Sequence, residues 1–227
     1  MNDNLGTGHK VLKREIVVTA DGSTSLKIPE LDEMYHSKKG AVQESQFVYI
    51  DHGMSLTKKP KIDILEIGMG TGLNVALTIK QASANSVSIN YDTLEPYPLT
   101  KAEQLSLNYE EILGLPVGMM SQIHNSNTDN QINADFNLSV YVQKLEDWEA
   151  NQLYDVIYFD AFAPNKQKGP WVLSNLKKLY ACLKAGGVLT TYCAKGAVKR
   201  CLKSIGFELE ALAGPIGKRE MTRAIKK

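Results

Sequence analysis

Ile62-Asp-Ile-Leu-Glu-Ile-Gly-Met-Gly-Thr-Gly-Leu-Asn74 is the stretch whose reading decides the fold. Ile62, Ile64, Leu65 and Ile67 form a short, largely β-branched apolar run, the pattern of a strand buried on both faces. Glycines follow at alternate positions, 68, 70 and 72, and a helix-like segment runs from Leu73 to Ala82. Strand, glycine turn and helix N-terminus together make a place where a nucleotide-like ligand can approach bare main chain. The spacing is G-x-G-x-G with Glu66 two residues ahead, not the G-x-G-x-x-G of dinucleotide enzymes. By itself such a turn does not name its ligand.

Outward from this turn, strand and helix signals alternate. Val87 to Leu94 reads as a second strand ending at Glu95-Pro96, and Leu99 to Leu107 as a helix started by Pro98 and Thr100. Gly118 to Asn137 is rich in Asn, Gln and Ser without periodicity and is expected to be a long surface connection. Leu138 to Val142 and Tyr154 to Phe159 are the third and fourth strands. Val172 to Leu183 is a helix, Val188 to Tyr192 a fifth strand and Lys195 to Ile205 a last helix, before strands at Phe207 to Leu212 and Glu220 to Ile225. This order predicts an open α/β sheet, mostly parallel with an antiparallel last strand. Ahead of it, Glu15 to Ile28 reads as a hairpin about Asp21-Gly22, and Gln43 to His52 as a helix with Phe47, Val48 and Ile50 on its apolar face. Residues 1–57 are therefore expected to be an N-terminal extension on a domain of residues 58–227, with residues 1–13 frayed.

The bulk properties narrow the classes. With 227 residues and 22% charged side chains, the chain suits one soluble α/β domain. It has no run of about 18 apolar residues and no secretory signal, which predicts a cytoplasmic protein without a membrane partner. Cys182, Cys193 and Cys201 lack C-x-x-C spacing and read as packed thiols; no metal site is expected. The net charge of +1 does not advertise a nucleic-acid binder, although basic groups recur locally.

In an open α/β sheet, ligands bind beyond the carboxyl ends of the strands. That rule puts the glycine turn, Glu95, the Asp160-to-Pro164 loop, the Cys193-to-Gly196 loop and the turn at Gly214 to Lys218 on one edge. The glycines of Ala185-Gly186-Gly187 precede a strand and read as structural. A carboxylate at Glu95 can accept hydrogen bonds from both hydroxyls of a ribose. Asp160 closes an apolar strand, where desolvating a carboxylate is costly unless something uses it. Phe162 and Trp171 flank its loop and could sandwich a base.

The acidic residue before G-x-G-x-G resembles motif I of class I S-adenosylmethionine (SAM) methyltransferases. Asp160-Ala-Phe-Ala-Pro164 is reminiscent of the Asp/Asn-Pro-Pro-aromatic loop of amino methyltransferases. With Pro170-Trp171, Glu95-Pro-Tyr-Pro-Leu99 and Gly217-Lys-Arg-Glu-Met221, the chain resembles the methyltransferase domain of the MnmC family over residues 15 to 225. The N-terminal Thr19-Ala-Asp-Gly-Ser23, Tyr35-His-Ser37 and Gly40-Ala-Val-Gln-Glu-Ser45 belong to the same likeness. The resemblance implies a Rossmann-like fold and transfer of a methyl group from SAM to the 5-aminomethyl group of a wobble (2-thio)uridine in tRNA. It implies SAM contacts at Glu66, Gly68, Met69, Gly70, Gly72, Asn74, Glu95 and Pro96, with Glu66 orienting the turn and the ligand's amino group. Asp160 would be catalytic, orienting the amine and offsetting its developing charge. Phe162, Pro164, Trp171, Lys195, Lys218 and Arg219 would meet the substrate. The last three, with Lys166 and Lys168, are expected on a basic rim facing the anticodon backbone. Relatives often carry Gly-Asp after the third strand for the adenine; here that place reads Gln143-Lys144. The bifunctional members add a flavin-dependent oxidase domain, which ending at residue 227 would exclude, so the likeness is to the stand-alone form with no flavin. Other readings are an aminopropyltransferase like spermidine synthase and a non-catalytic RNA-binding module.

Overall fold

The computed structural model describes residues 13–227; the expectation for residues 1–13 falls almost wholly outside them. Eleven strands and seven helices follow one another among the described residues. Strands β1 (Glu15–Val18), β2 (Thr24–Ile28) and β3 (Glu33–Met34) make a small antiparallel sheet. Helix α1 (Ala41–Ser45) runs into a π-helical segment, Gln46–Asp51. The large sheet is built from β4 (Lys61–Ile67), β5 (Ser88–Leu94), β6 (Asn130–Asn133), β7 (Phe136–Tyr141), β8 (Tyr154–Phe159), β9 (Leu183–Thr191), β10 (Phe207–Ala213) and β11 (Glu220–Lys226). Around it stand α2 (Leu73–Asn85), α3 (Lys101–Leu105), α4 (Tyr109–Leu113), α5 (Met119–His124), α6 (Leu173–Cys182) and α7 (Gly196–Ile205).

The strand order is β10-β11-β9-β8-β4-β5-β7-β6. The four inner pairings, β9-β8, β8-β4, β4-β5 and β5-β7, are parallel; β11 and β6 run antiparallel to their neighbours. The chain winds outward from β4 to β7, then returns to place β8 on the other side of β4. That reversal opens a crevice at the carboxyl ends of β4 and β8, where doubly wound sheets take ligands.

Alternation along the inner strands decides which residues meet there. Ile62 and Ile64 of β4 pack into one core with α2 and Tyr49, while Leu65 and Ile67 pack into the other with Trp171 and Leu176. Val156 and Tyr158 of β8 share the first face, Ile157 and Phe159 the second. Continuing that alternation, Glu66 and Asp160 both fall on the face beneath α2 and the π-helical segment.

The hairpin forms about Asp21-Gly22 as expected, with Gly22 at φ +83°. The Asp21 carboxylate accepts from the Thr19 and Ser23 hydroxyls, and it lies at about 2 because these and backbone hydrogen bonds overcome its partial burial. The expected surface connection from Gly118 to Asn137 is instead α5 and β6. Met120, Ile123 and Ile132 are its buried anchors, too few and too unevenly spaced to show a period. As an edge strand, β6 tolerates its Asn and Gln side chains. The helix expected from Leu99 to Leu107 is shorter; a Thr100/Glu103 capping box starts α3, and a second helix, α4, follows. Gly186 and Gly187 lie inside β9, at an irregularity where four of its residues oppose one of β8. A side chain at Gly187 would come within 3.0 Å of main-chain oxygens.

Candidate active site

The crevice holds a cavity of about 710 Å³, within the roughly 300–1,000 Å³ common for small-molecule sites. Its floor is the turn after β4. Gly68, Gly70 and Gly72 have φ of +93°, +53° and +76°, the left-handed side of the map that glycine enters without a steric cost. A Cβ on Gly68 would stand 2.9 Å from the Asp160 carbonyl, so the two strand-end loops touch through that glycine. Gly68, Met69 and Gly70 line the cavity, whereas Gly72 stands just before α2 and does not.

Glu95 lines the cavity from the end of β5, with Pro96 beside it. The Gly70 N–H donates to Oε2 at 2.7 Å and the Tyr97 N–H to Oε1 at 2.8 Å. Each oxygen keeps a further lone pair, so the carboxylate can still accept from a vicinal diol. Burial pushes Glu95 up, and these backbone bonds work against that. Gln143, Lys144 and Leu145 supply the next wall. Asp147, the nearest aspartate after Gln143-Lys144, is exposed and lies outside it.

The N-terminal residues roof this cavity. Tyr35 lies over the glycine turn, and a Cβ on Gly70 would meet its ring at 2.9 Å. Arg14 ties the roof down by donating to the Tyr97 carbonyl at 2.6 Å and to Glu103 at 3.2 Å. Asn108 accepts from the Thr24 N–H at 2.8 Å, and Lys166 donates to the Leu31 carbonyl at 2.5 Å.

A second cavity of about 210 Å³ adjoins the first, and the two share Tyr35, His36, Asp160 and Phe162. Asp160 thus stands at their junction. Tyr49 donates its hydroxyl to Oδ1 at 2.6 Å, and Asn74 Nδ2 donates to Oδ2 at 2.8 Å. Burial pushes Asp160 up to about 7, against the pull of these two bonds. Asn74 gives its other amide hydrogen to Glu66 Oε1 at 2.9 Å, and the Thr93 hydroxyl donates to Oε2 at the same distance.

Glu66 itself is fully buried and lines neither cavity. It sits under the turn and reaches the site only through Asn74, so the expected contact with a ligand amino group is replaced by a positioning role. Burial pushes Glu66 up to about 8. Because that lies above its ordinary 4.5, the folded chain keeps a proton there that the unfolded chain releases. Stability from this group is full below about pH 4.5 and is lost as pH rises through 8, at up to about 1.4 kcal/mol per unit. Glu66→Gln, which mimics the protonated form, is expected to shrink the difference in urea-unfolding free energy between pH 5.5 and 7.5. An unchanged difference would remove Glu66 as its source.

Four placements differ from expectation, those of Trp171, Lys218, Lys166 and Pro164. Trp171 is buried, with its ring 4.3 Å from that of Phe159 and its indole N–H on the Phe162 carbonyl at 2.7 Å. It props the loop and is not free to sandwich a base; Phe162 instead meets Tyr35 edge-on at 5.1 Å. Lys218 does not project from the rim: it turns inward onto Glu44 at 2.6 Å and over the Tyr192 ring at 4.0 Å. Lys166 is likewise tied down, on the Leu31 carbonyl. Arg219, Lys168 and Lys195 are exposed, the last contacting Asn165. Pro164 is half-buried and lines neither cavity. Tyr35, Tyr49 and Glu44, which sequence reading did not single out as site residues, complete the site. Tyr35 and Glu44 stand in segments already noted as family-like, and that was the signal available for them.

The donor set fits an adenosyl ligand: a glycine turn with exposed main chain, an acceptor pair at Glu95 and an apolar wall beyond it. Residues 103–227 match the family model described as S-adenosyl-L-methionine-dependent methyltransferase. The chain belongs to that family, and its cofactor is SAM. It is 27% identical to the "tRNA 5-methylaminomethyl-2-thiouridine biosynthesis bifunctional protein MnmC" of Pseudoalteromonas atlantica, over 93% of this chain and 33% of that protein. To the protein of the same description from Idiomarina loihiensis it is 30% identical, over 84% and 35%. The chain thus spans about a third of the length of these curated relatives. Among solved structures, MNMC2 from Aquifex aeolicus superposes with a TM-score of 0.74 at 24% identity, covering 96% of this chain and 72% of that one. Spermidine synthase from Thermotoga maritima gives 0.58 at 15% identity, over 96% and 71%. Both share the fold. No helix among the described residues is long and apolar enough to cross a membrane.

Proposed function

We propose that the protein methylates a primary amine on RNA, the 5-aminomethyl group of a wobble uridine in tRNA, giving 5-methylaminomethyl. The observation that carries this reading is Asp160, a half-buried carboxylate with both oxygens anchored, standing where the cofactor cavity opens into a second one. The relatives' description, tRNA 5-methylaminomethyl-2-thiouridine biosynthesis, names the chemistry such a carboxylate suits.

Bound SAM supplies an electrophilic methyl group. What the chain supplies is position and charge. A neutral amine has one lone pair, and it must point at the methyl while positive charge grows on nitrogen. Asp160, accepting from the amine N–H groups, fixes that direction and offsets the charge. Tyr49 and Asn74 hold the carboxylate so that it cannot turn away, and the roof of Tyr35 and β2 keeps water from the turn. Exposed Lys168, Lys195 and Arg219 are available to the anticodon backbone. Each phosphate contact would add roughly 0.7 to 0.9 to the slope of log affinity against log salt.

The test uses labelled SAM and tRNA from cells lacking this activity, followed by nucleoside analysis. Label is expected in a nucleoside one methyl heavier than 5-aminomethyl(-2-thio)uridine. A protein that binds SAM but leaves that nucleoside unlabelled would overturn the reading.

A further inference from the structure

The smaller cavity contains an ion pair that the scheme above does not use. Lys218, from the turn between β10 and β11, reaches in beside Asp160 and meets Glu44 of α1. The Glu44 side chain is 9% exposed, and its other oxygen accepts the Ser37 N–H at 2.7 Å. A carboxylate so enclosed is costly without a partner cation. The space that an acceptor amine must enter is therefore lined by three carboxylates, Glu33, Glu44 and Asp160, and one ammonium, Lys218, with Lys166 3.9 Å from Glu33.

The nucleophile of the reaction is an amine that arrives protonated at neutral pH. A carboxylate beside it favours the ammonium form and resists loss of its proton, and two would resist more strongly. We propose that Lys218 cancels the charge of Glu44, so that the acceptor pocket presents the single negative charge of Asp160 and lets the bound amine shed its proton. The inference rests on the reading of the protein as an amine methyltransferase. The step is a proton transfer: an N–H bond of the ammonium breaks, the electron pair stays on nitrogen, and the proton passes to water. Nothing is oxidised or reduced.

The other titratable groups around the pair are uncharged, paired or outside the two cavities. Burial pushes His36 down to about 4, so it is neutral, with Nδ1 2.8 Å from the Ser25 hydroxyl. Burial also pushes up the hydroxyls of Tyr35, Tyr49 and Tyr192 and the thiol of Cys193. Glu33 faces Lys166 at 3.9 Å, Asp21 stays ionised from about 2 upward, and the Lys39 side chain lies along Gly217. Asp21 and Lys39 line neither cavity, and Lys166 offsets Glu33 as Lys218 offsets Glu44, so Asp160 is the carboxylate left without a cation to face an incoming amine.

The experiment is the pH profile of kcat on the aminomethyl acceptor for the parent, Lys218→Met, Glu44→Gln and the double variant. Lys218→Met should move the acid limb to higher pH by roughly one unit or more, the scale of one unit charge a few ångströms away. Turnover at pH 7 then falls about tenfold and recovers in alkali. Glu44→Gln, which buries no bare carboxylate, should move the limb the other way. The double variant, again with one net negative charge, should return it to the parent's position. An unmoved limb in the single variants, or equal losses at every pH, would overturn the inference while the functional reading stands. A parent inactive on the amine would overturn both. If Lys218→Met does not fold, Glu44→Gln against the double variant still decides: the two must differ in limb position.

Discussion

Asp160→Asn is expected to lower turnover by roughly 10²-fold or more, the scale of losing one well-aimed electrostatic group. Cofactor affinity should stay close to that of the parent, because the glycine turn and Glu95 are untouched. The amide keeps the shape of the carboxylate and one acceptor, but the hydrogen bond to Tyr49 must reverse its direction. Tyr49 donates to one oxygen and Asn74 to the other; an amide nitrogen facing Asn74 would meet a donor, so the amide must turn its nitrogen to Tyr49, whose hydroxyl then accepts instead of donating. The charge that offsets the forming ammonium is lost as well. Asp160 lies at about 7 and works as the anion. The parent should therefore lose activity as pH falls below 7, and the variant should lack that part of the decline. Single-turnover rates with calorimetric SAM affinities check this. Near-normal turnover would end the assignment of Asp160.

The second large effect is expected at the other end of the crevice. Glu95→Gln should weaken SAM binding roughly tenfold to hundredfold, since one buried backbone donor left without an acceptor costs about 1–3 kcal/mol. The donors at stake are the Gly70 and Tyr97 N–H groups, each on its own carboxylate oxygen. A glutamine amide accepts only one of them and turns its own N–H groups towards the other. The glycine turn then loses the bond that holds its main chain against β5, and the diol loses half of its acceptor. Calorimetry on the folded variant reads the outcome directly. An unchanged dissociation constant would place the ribose elsewhere.

How far the sequence shows the site depends on sequence separation. The β4 strand, its glycines and the carboxylates ending β5 and β8 are local signals: an apolar run, a break and an acid at the break. Their convergence follows from a topology that alternating strands and helices dictate. Tyr49 was hidden because its meaning lies 111 residues away, at Asp160. A helix period marks Phe47, Val48 and Ile50 as the apolar face, but the backbone there is π-helical, and the wider turn brings Tyr49 inward instead of Phe47. Lys218 reads as a rim cation because nothing in its own turn shows Glu44 waiting across the fold. Trp171 reads as a recognition aromatic because composition cannot tell a ring that faces a ligand from one that props a loop.

The roof over the cofactor cavity bears on how the protein comes into being. Synthesis proceeds from the N-terminus, so the ribosome releases β1, β2, β3 and Tyr49 first. The partners of these ties come afterwards: the Tyr97 carbonyl and Asn108 some 84 residues on, Asp160 at 111 and Lys166 at 135. The Tyr97 and Asn108 ties need only β4 and β5, but those to Asp160 and Lys166 must wait until β8 has emerged, and closing such long loops is slow. The N-terminal segment must therefore wait, unfastened at Tyr49 and Leu31, until β8 has left the ribosome, and the cofactor cavity is enclosed only then.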